Sequence, residues 1–193
     1  MTDARSDEAL MLAYRDGDAA AFEVLYARWR SRLYRYLLHQ CGERGLAEDL
    51  YQEIWTKLIA AREHYEIHAK FSTWLFTIAH RRLIDHYRRS SARPTDTALW
   101  QDEDDQGDPL DTFAGPEVLE PQRQAHTAEL RAGLLAALDA LPAPQREAFL
   151  LVEEGDLSLE DAARVAGVGR ETLKSRLRYA LGKLRAALAE FQS

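Results

Sequence analysis

Apolar residues recur at helical spacing along most of the chain, and no stretch alternates in the period-two manner of a strand. After a short helix ending near Arg15, the turn Asp16 to Asp18 offers Asp18 as an N-cap. Phe22, Leu25, Tyr26, Trp29, Leu33, Tyr36 and Leu37 then mark one face of a long amphipathic helix. Gly42 and Gly45 punctuate the next turn, and a third helix directs Leu46, Leu50, Ile54, Leu58 and Ile59 inward, with Glu48, Asp49, Gln52 and Glu53 on its other face. A looser stretch from Arg62 to Lys70 precedes a fourth helix over Phe71 to Arg89. Its inward set is Trp74, Leu75, Ile78, Ala79 and Tyr87, and Arg81, Arg82, Arg88 and Arg89 form a basic cluster. Four helices with short connections predict one compact bundle.

From Ser90 to about Gln122 the periodicity vanishes among Pro, Gly, Asp and Gln. Such a segment buries too little apolar surface to offset the entropy of ordering it, which predicts a flexible linker. Leu99, Trp100 and Phe113 are its apolar exceptions, at most transient docking points. Helical spacing resumes near Ala125, with Leu130, Leu134, Leu135, Leu138 and Leu141 in register. Pro142 and Pro144 interrupt it, and a helix over Gln145 to Glu154 ends at Gly155. The predicted fold is all-α: two small helical bundles, residues 7–90 and 124–193, joined by a flexible acidic linker over 91–123.

The second bundle ends in a helix, a tight turn and a helix between Leu157 and Arg185. Ser158 is placed as an N-cap with Asp161 as its capping-box partner, and Ala162, Ala163 and Val165 form a small apolar face. Gly167 supplies the left-handed residue that closes the first of the two helices, and Val168 drops between them. In the last helix Leu173, Leu177, Ala180, Leu181, Leu184 and Leu188 make the buried stripe. Between Val168 and Leu188 stand six Lys or Arg against one acid, Glu171, the polarity expected of a recognition helix in a DNA major groove.

Net charge changes the picture once it is located. The total of −7 argues against nucleic acid, but nine acids and no Lys or Arg lie between Thr95 and Gln122. Without those nine negative charges the rest of the chain carries +2, with its basic residues clustered in the fourth and last helices. One cysteine, Cys41, excludes an internal disulfide and a cysteine-rich zinc cluster and suits a reducing compartment. No apolar run approaches the length of a membrane span and the polar N-terminus is unlike a leader, so a cytoplasmic protein without membrane insertion is expected. His64 and His68 stand four apart without an evident third ligand, and no phosphate loop, nucleophile elbow or paired catalytic carboxylates emerge. No catalytic residues, metal or cofactor are therefore expected. A dimeric helix-turn-helix repressor or activator explains the C-terminal stretch but not the basic fourth helix.

Four segments, AEDLYQEIWTKL (Ala47 to Leu58), FSTWLFTIAHRRLIDHYRR, LDALPAPQREAFLL (Leu138 to Leu151) and ETLKSRLRYALGKLR (Glu171 to Arg185), stand in the order and at the spacing of bacterial sigma factors of the sigma-70 family. The chain closely resembles their extracytoplasmic-function group. The resemblance implies binding to RNA polymerase core through the β′ clamp helices and the β flap, delivery of the enzyme to promoter DNA, and opening of the duplex. It assigns Glu48, Asp49, Gln52, Glu53 and Trp55 to the polymerase, with Trp55 as an exposed apolar anchor inside a polar rim. It assigns Lys70, Phe71, Thr73, Trp74, His80, Arg81, Arg82, Asp85 and Arg88 to the −10 element. Arg170, Thr172, Lys174, Ser175, Arg176, Arg178 and Tyr179 go to the −35 element. An anti-sigma factor is a further expected partner. The chain departs from the family at Arg81, where asparagine is frequent, at Glu171, where glycine is, and at Tyr179, where arginine is; arginine at the first position favours phosphate or guanine contact.

Overall fold

The computed structural model describes residues 3–90, 130 and 132–189, all of whose regular structure is helical. In chain order the helices are α1 (Asp7–Arg15), α2 (Ala19–Cys41), α3 (Arg44–Ala60), α4 (Phe71–Ser90), α5 (132–139), α6 (Ala143–Glu153), α7 (Leu159–Ala166) and α8 (Arg170–Ala189). A short 3₁₀ turn, Arg62–His64, precedes α4. Among the described residues no helix is long and apolar enough to cross a membrane. The expected linker, its Leu99, Trp100 and Phe113, and the start of the helix near Ala125 lie outside the described residues.

The ends of the helices follow local chemistry. Asp18 accepts from the Ala21 amide at 3.2 Å and starts α2, and Gly42, left-handed at φ 66°, closes it. Ser6 caps α1 in the same way, and Ser158 caps α7 by accepting from the Asp161 amide at 3.1 Å while its hydroxyl donates to the Asp161 carboxylate at 2.8 Å. Gly167, left-handed at φ 69°, ends α7 and turns the chain into α8. Pro142 is not a simple break: it stands at the N-cap of α6, and Pro144 occupies the first turn, where a missing N–H costs no hydrogen bond. Hence α6 starts two residues earlier than periodicity suggested.

α1 to α4 form an N-terminal lobe. Its core contains Leu25, Leu33, Tyr36, Leu37, Ile54, Leu58, Phe71, Leu75 and Phe76, all essentially inaccessible. Ile59, expected inside, is 38% exposed, because Ile54 and Leu58 already fill the α3 face toward the core. α1 is pinned to α2 through Asp7, which accepts from Arg28 Nη1 at 2.6 Å and from the indole of Trp29 at 2.9 Å.

α5 to α8 form the C-terminal lobe around Leu138, Leu141, Leu150, Leu151, Val165, Leu173, Leu177 and Leu184. Leu135, placed in register by periodicity, lies on the exposed side of α5. The two lobes touch: α4 packs against α7, and α2 against α6.

Candidate nucleic-acid interface

The C-terminal motif folds as its sequence indicates. Leu173, Leu177, Ala180 and Leu184 of α8 are buried, and Val168 packs between the helices, half-buried. None of Arg170, Thr172, Lys174, Ser175, Arg176, Arg178 and Tyr179 is buried. Arg170 and Lys174 are exposed and flank Glu171, whose carboxylate lies 3.1 Å from Arg170 Nη1 and 3.8 Å from Lys174 Nζ. The guanidinium of Arg178 lies over the Tyr179 ring, 5.2 Å from its centroid. The result is a helix whose accessible side is mostly basic, broken by Glu171, and whose other side is the buried apolar stripe.

The set on α4 divides. Lys70, Arg81, Asp85 and Arg88 are exposed on or just before the helix, and His80, Arg82 and Trp74 are half-buried. Phe71 and Thr73, by contrast, are core residues, at 0% and 3% exposure. Their assignment as base-contacting groups is corrected by packing: the Phe71 ring sits 6.2 Å from Trp29 and 6.0 Å from Trp74, closing the lobe beneath the start of the helix. Trp74 is half-buried, and its other ring contact is Tyr65, at 4.9 Å. Burial, helped by the carboxylates of Glu8 and Asp7, pushes the Tyr65 phenol up to about 12, so it stays neutral beside any phosphate.

Two of the candidate residues on α4 are engaged by acids of other helices. Arg82 is ion-paired with Glu53 of α3, and His80 Nδ1 lies 2.5 Å from Glu147 Oε1 of α6. The start of α4 is closed by Glu8, whose Oε1 accepts from the Phe71 amide at 2.8 Å. Around the same end lies a cleft lined by Arg28, Trp29, Ile67, Lys70, Ser72 and, from the C-terminal lobe, Asp156.

On α3, Glu48, Asp49, Gln52 and Glu53 are exposed together, as the pattern required. Trp55 is not: it is 5% exposed, with its ring 4.9 Å from Tyr26, 5.8 Å from Phe22 and 6.2 Å from Tyr51. The exposed anchor assigned to Trp55 is therefore corrected. Positions 51, 55 and 58 share one helix face, and α2 offers an aromatic slot that covers the indole. Sequence reasoning missed the residues that do stand beside the acids. Tyr26, Tyr34 and Tyr51 are half-buried in a groove shared with Arg30, Glu48 and Gln52. The Tyr51 hydroxyl donates to Tyr26 at 3.0 Å. The signal was the tyrosine run on adjacent turns of α2 and α3.

His64 lies exposed in the 3₁₀ turn and His68 pairs with Glu66 at 3.0 Å, so the two do not converge.

Both lobes match known proteins. Residues 25–93 match the sigma-70 region 2 model, and residues 131–184 the sigma-70 region 4 model. The chain is 31% identical to the RNA polymerase sigma factor CarQ of Myxococcus xanthus, over 94% of this chain and 97% of that protein. It is 33% identical to the extracytoplasmic-function RNA polymerase sigma factor RpoE of Cereibacter sphaeroides, over 92% of each. Among solved structures, RpoE of Bartonella quintana in complex with the anti-sigma factor NepR superposes with a TM-score of 0.62 at 26% identity, covering 87% of this chain and 96% of that one.

Proposed function

Because this chain belongs to the sigma-70 family, in its extracytoplasmic-function group, we propose that it binds RNA polymerase core and directs promoter-specific initiation, with its two lobes reading separate elements. The observation that carries the reading is the pairing, in one chain, of an exposed acidic α3 face with two basic helices, each inside a matched region. Glu48, Asp49, Gln52 and Glu53, with the neighbouring tyrosine groove, are the surface for the polymerase. Acids around partly exposed aromatic rings give a polar rim and an apolar centre without requiring Trp55.

In this reading α8 enters the −35 major groove. Arg170, Lys174, Arg176 and Arg178 hold phosphates or guanine edges, with Thr172, Ser175 and Tyr179 alongside. Along and just before α4, Lys70, Arg81, Arg82 and Arg88 track the backbone at the −10 element, while His80, Asp85 and the half-buried Trp74 are left to meet unstacked bases. Phe71 and Thr73 hold the helix in place from beneath. The Bartonella quintana relative was solved with an anti-sigma factor, and the same class of partner is proposed for this chain. On this reading the protein works in the cytoplasm, where the polymerase transcribes. A repressor acting as a dimer is not favoured, since it leaves the region 2 match without a purpose.

Run-off transcription with purified core polymerase and a pool of genomic promoter fragments tests the proposal. Discrete transcripts are expected with the wild-type protein, fading with Lys174→Ala/Arg176→Ala. Absence of transcripts, together with tight binding to a palindrome without polymerase, overturns it.

A further inference from the structure

The lone acid of α8 sits on the side assigned to DNA. Glu171 is the only Asp or Glu between Val168 and Leu188, and its side chain is 75% exposed. At about 100° per residue, Glu171 and Ser175 fall closest to the direction opposite the buried stripe of Leu173, Leu177, Ala180 and Leu184, within roughly 30° of it. A helix lying in a major groove turns that line toward the base edges and its flanks toward the phosphates. Lys174 lies to one side of the line and Arg176 to the other, placed for the backbone. The helix dipole favours an acid anywhere in the first turn, but it does not select the groove-facing line.

The carboxylate is already matched to cations. Arg170 Nη1 donates to Glu171 Oε1 at 3.1 Å, and Lys174 Nζ lies 3.8 Å from Oε2. These positive charges lower the repulsion between the acid and a DNA backbone. They do not exhaust it as an acceptor, since two carboxylate oxygens offer about four lone-pair sites. In the major groove only cytosine N4 and adenine N6 are hydrogen-bond donors, and on adenine the acceptor N7 stands beside N6 and repels a carboxylate. Cytosine is the base that fits. Its guanine partner presents O6 and N7, which suit the guanidinium of Arg170. The Arg170–Glu171 pair thus holds a donor and an acceptor side by side, in complement to one C·G pair.

We infer that Glu171 is a specificity-determining residue, accepting from N4 of a cytosine in the −35 element while Arg170 donates to the guanine paired with it. The inference rests on the functional reading above, which supplies the element and the helix that meets it but leaves Glu171 out of the contact set.

The test is transcription with purified core polymerase from a promoter library randomised across the −35 element, each template carrying a transcribed barcode. The full chain is used as wild type, Glu171→Ala and Glu171→Gln, and the barcodes are sequenced. The wild type is expected to favour cytosine on one strand at one position by about tenfold. Glu171→Ala should flatten that position and leave the others unchanged. Glu171→Gln should move it to adenine, whose N6 and N7 a carboxamide meets together. A base profile unchanged in both variants overturns the inference, whether total transcription rises or falls, because the carboxylate then acts on helix stability or net charge alone. A loss of preference spread evenly over all positions overturns it as well. Either result keeps wild-type transcription, whereas failure of the functional reading, which takes this inference with it, removes wild-type transcripts from every template.

Discussion

α4 and α8 are each 20 residues long, and both carry the arginines assigned to DNA, yet they stand differently in the fold. α8 packs chiefly on α6 and α7, and all seven of its candidate contact residues escape burial. α4 packs against α1, α2, α3 and α7, and two of its candidates are lost to the core while two more are engaged by acids of other helices. A helix with neighbours on several sides has little surface left that is only for a ligand. Its reading residues and its structural residues therefore interleave.

Phe71→Ala should show the difference most strongly. Truncating this fully buried ring is expected to cost about 3–5 kcal/mol of unfolding free energy in urea denaturation. A stable Phe71→Ala protein that fails only in promoter opening would return Phe71 to the set of reading residues.

Next in size is Glu8→Ala, which removes the side chain that accepts from the Phe71 amide and is expected to lower stability by about 0.5–2 kcal/mol. Burial pushes the Glu8 carboxyl up, but its hydrogen bonds to the Phe71 amide, its own amide and the Ser6 hydroxyl, with the charge of Lys70, outweigh this and hold it below its usual 4.5. The folded state thus favours the ionised form. Its contribution is complete above the usual carboxylate range and is lost as pH falls through the lowered value. Thermal unfolding of wild type and Glu8→Ala should differ at neutral pH and converge in acid; a constant difference breaks the assignment of Glu8 as the cap.

Lys174→Ala should have the smallest effect on the fold, within about 0.5 kcal/mol, because the residue is exposed on α8. Its effect belongs to DNA: weaker binding across sequences, with the salt slope of log affinity reduced by about one. A loss of stability comparable to that of Phe71→Ala would erase the distinction between the helices.

Much of the fold was legible from local signals. Asp18, Ser158, Gly42 and Gly167 act where their chemistry placed them, and the α8 stripe is the one its periodicity drew. The family resemblance assigned Phe71 and Thr73 to DNA and Trp55 to a partner, and neither it nor periodicity says how many neighbours a helix has, which is what buries all three. The contact between lobes left a fainter trace. Glu147 stands three and four residues before the buried Leu150 and Leu151, a charge on an apolar face, but its partners Tyr36 and His80 lie 111 and 67 residues away. Nothing local could have named them.

The order of synthesis gives that contact a history. α4 ends at residue 90 and Glu154 follows 64 residues later, so at about 5–20 residues per second the ribosome completes the N-terminal lobe roughly 3–13 s before the Arg35–Glu154 pair can form. Every nascent copy thus passes through an interval in which Arg35, Tyr36, His39 and His80 have not yet met their partners in the C-terminal lobe.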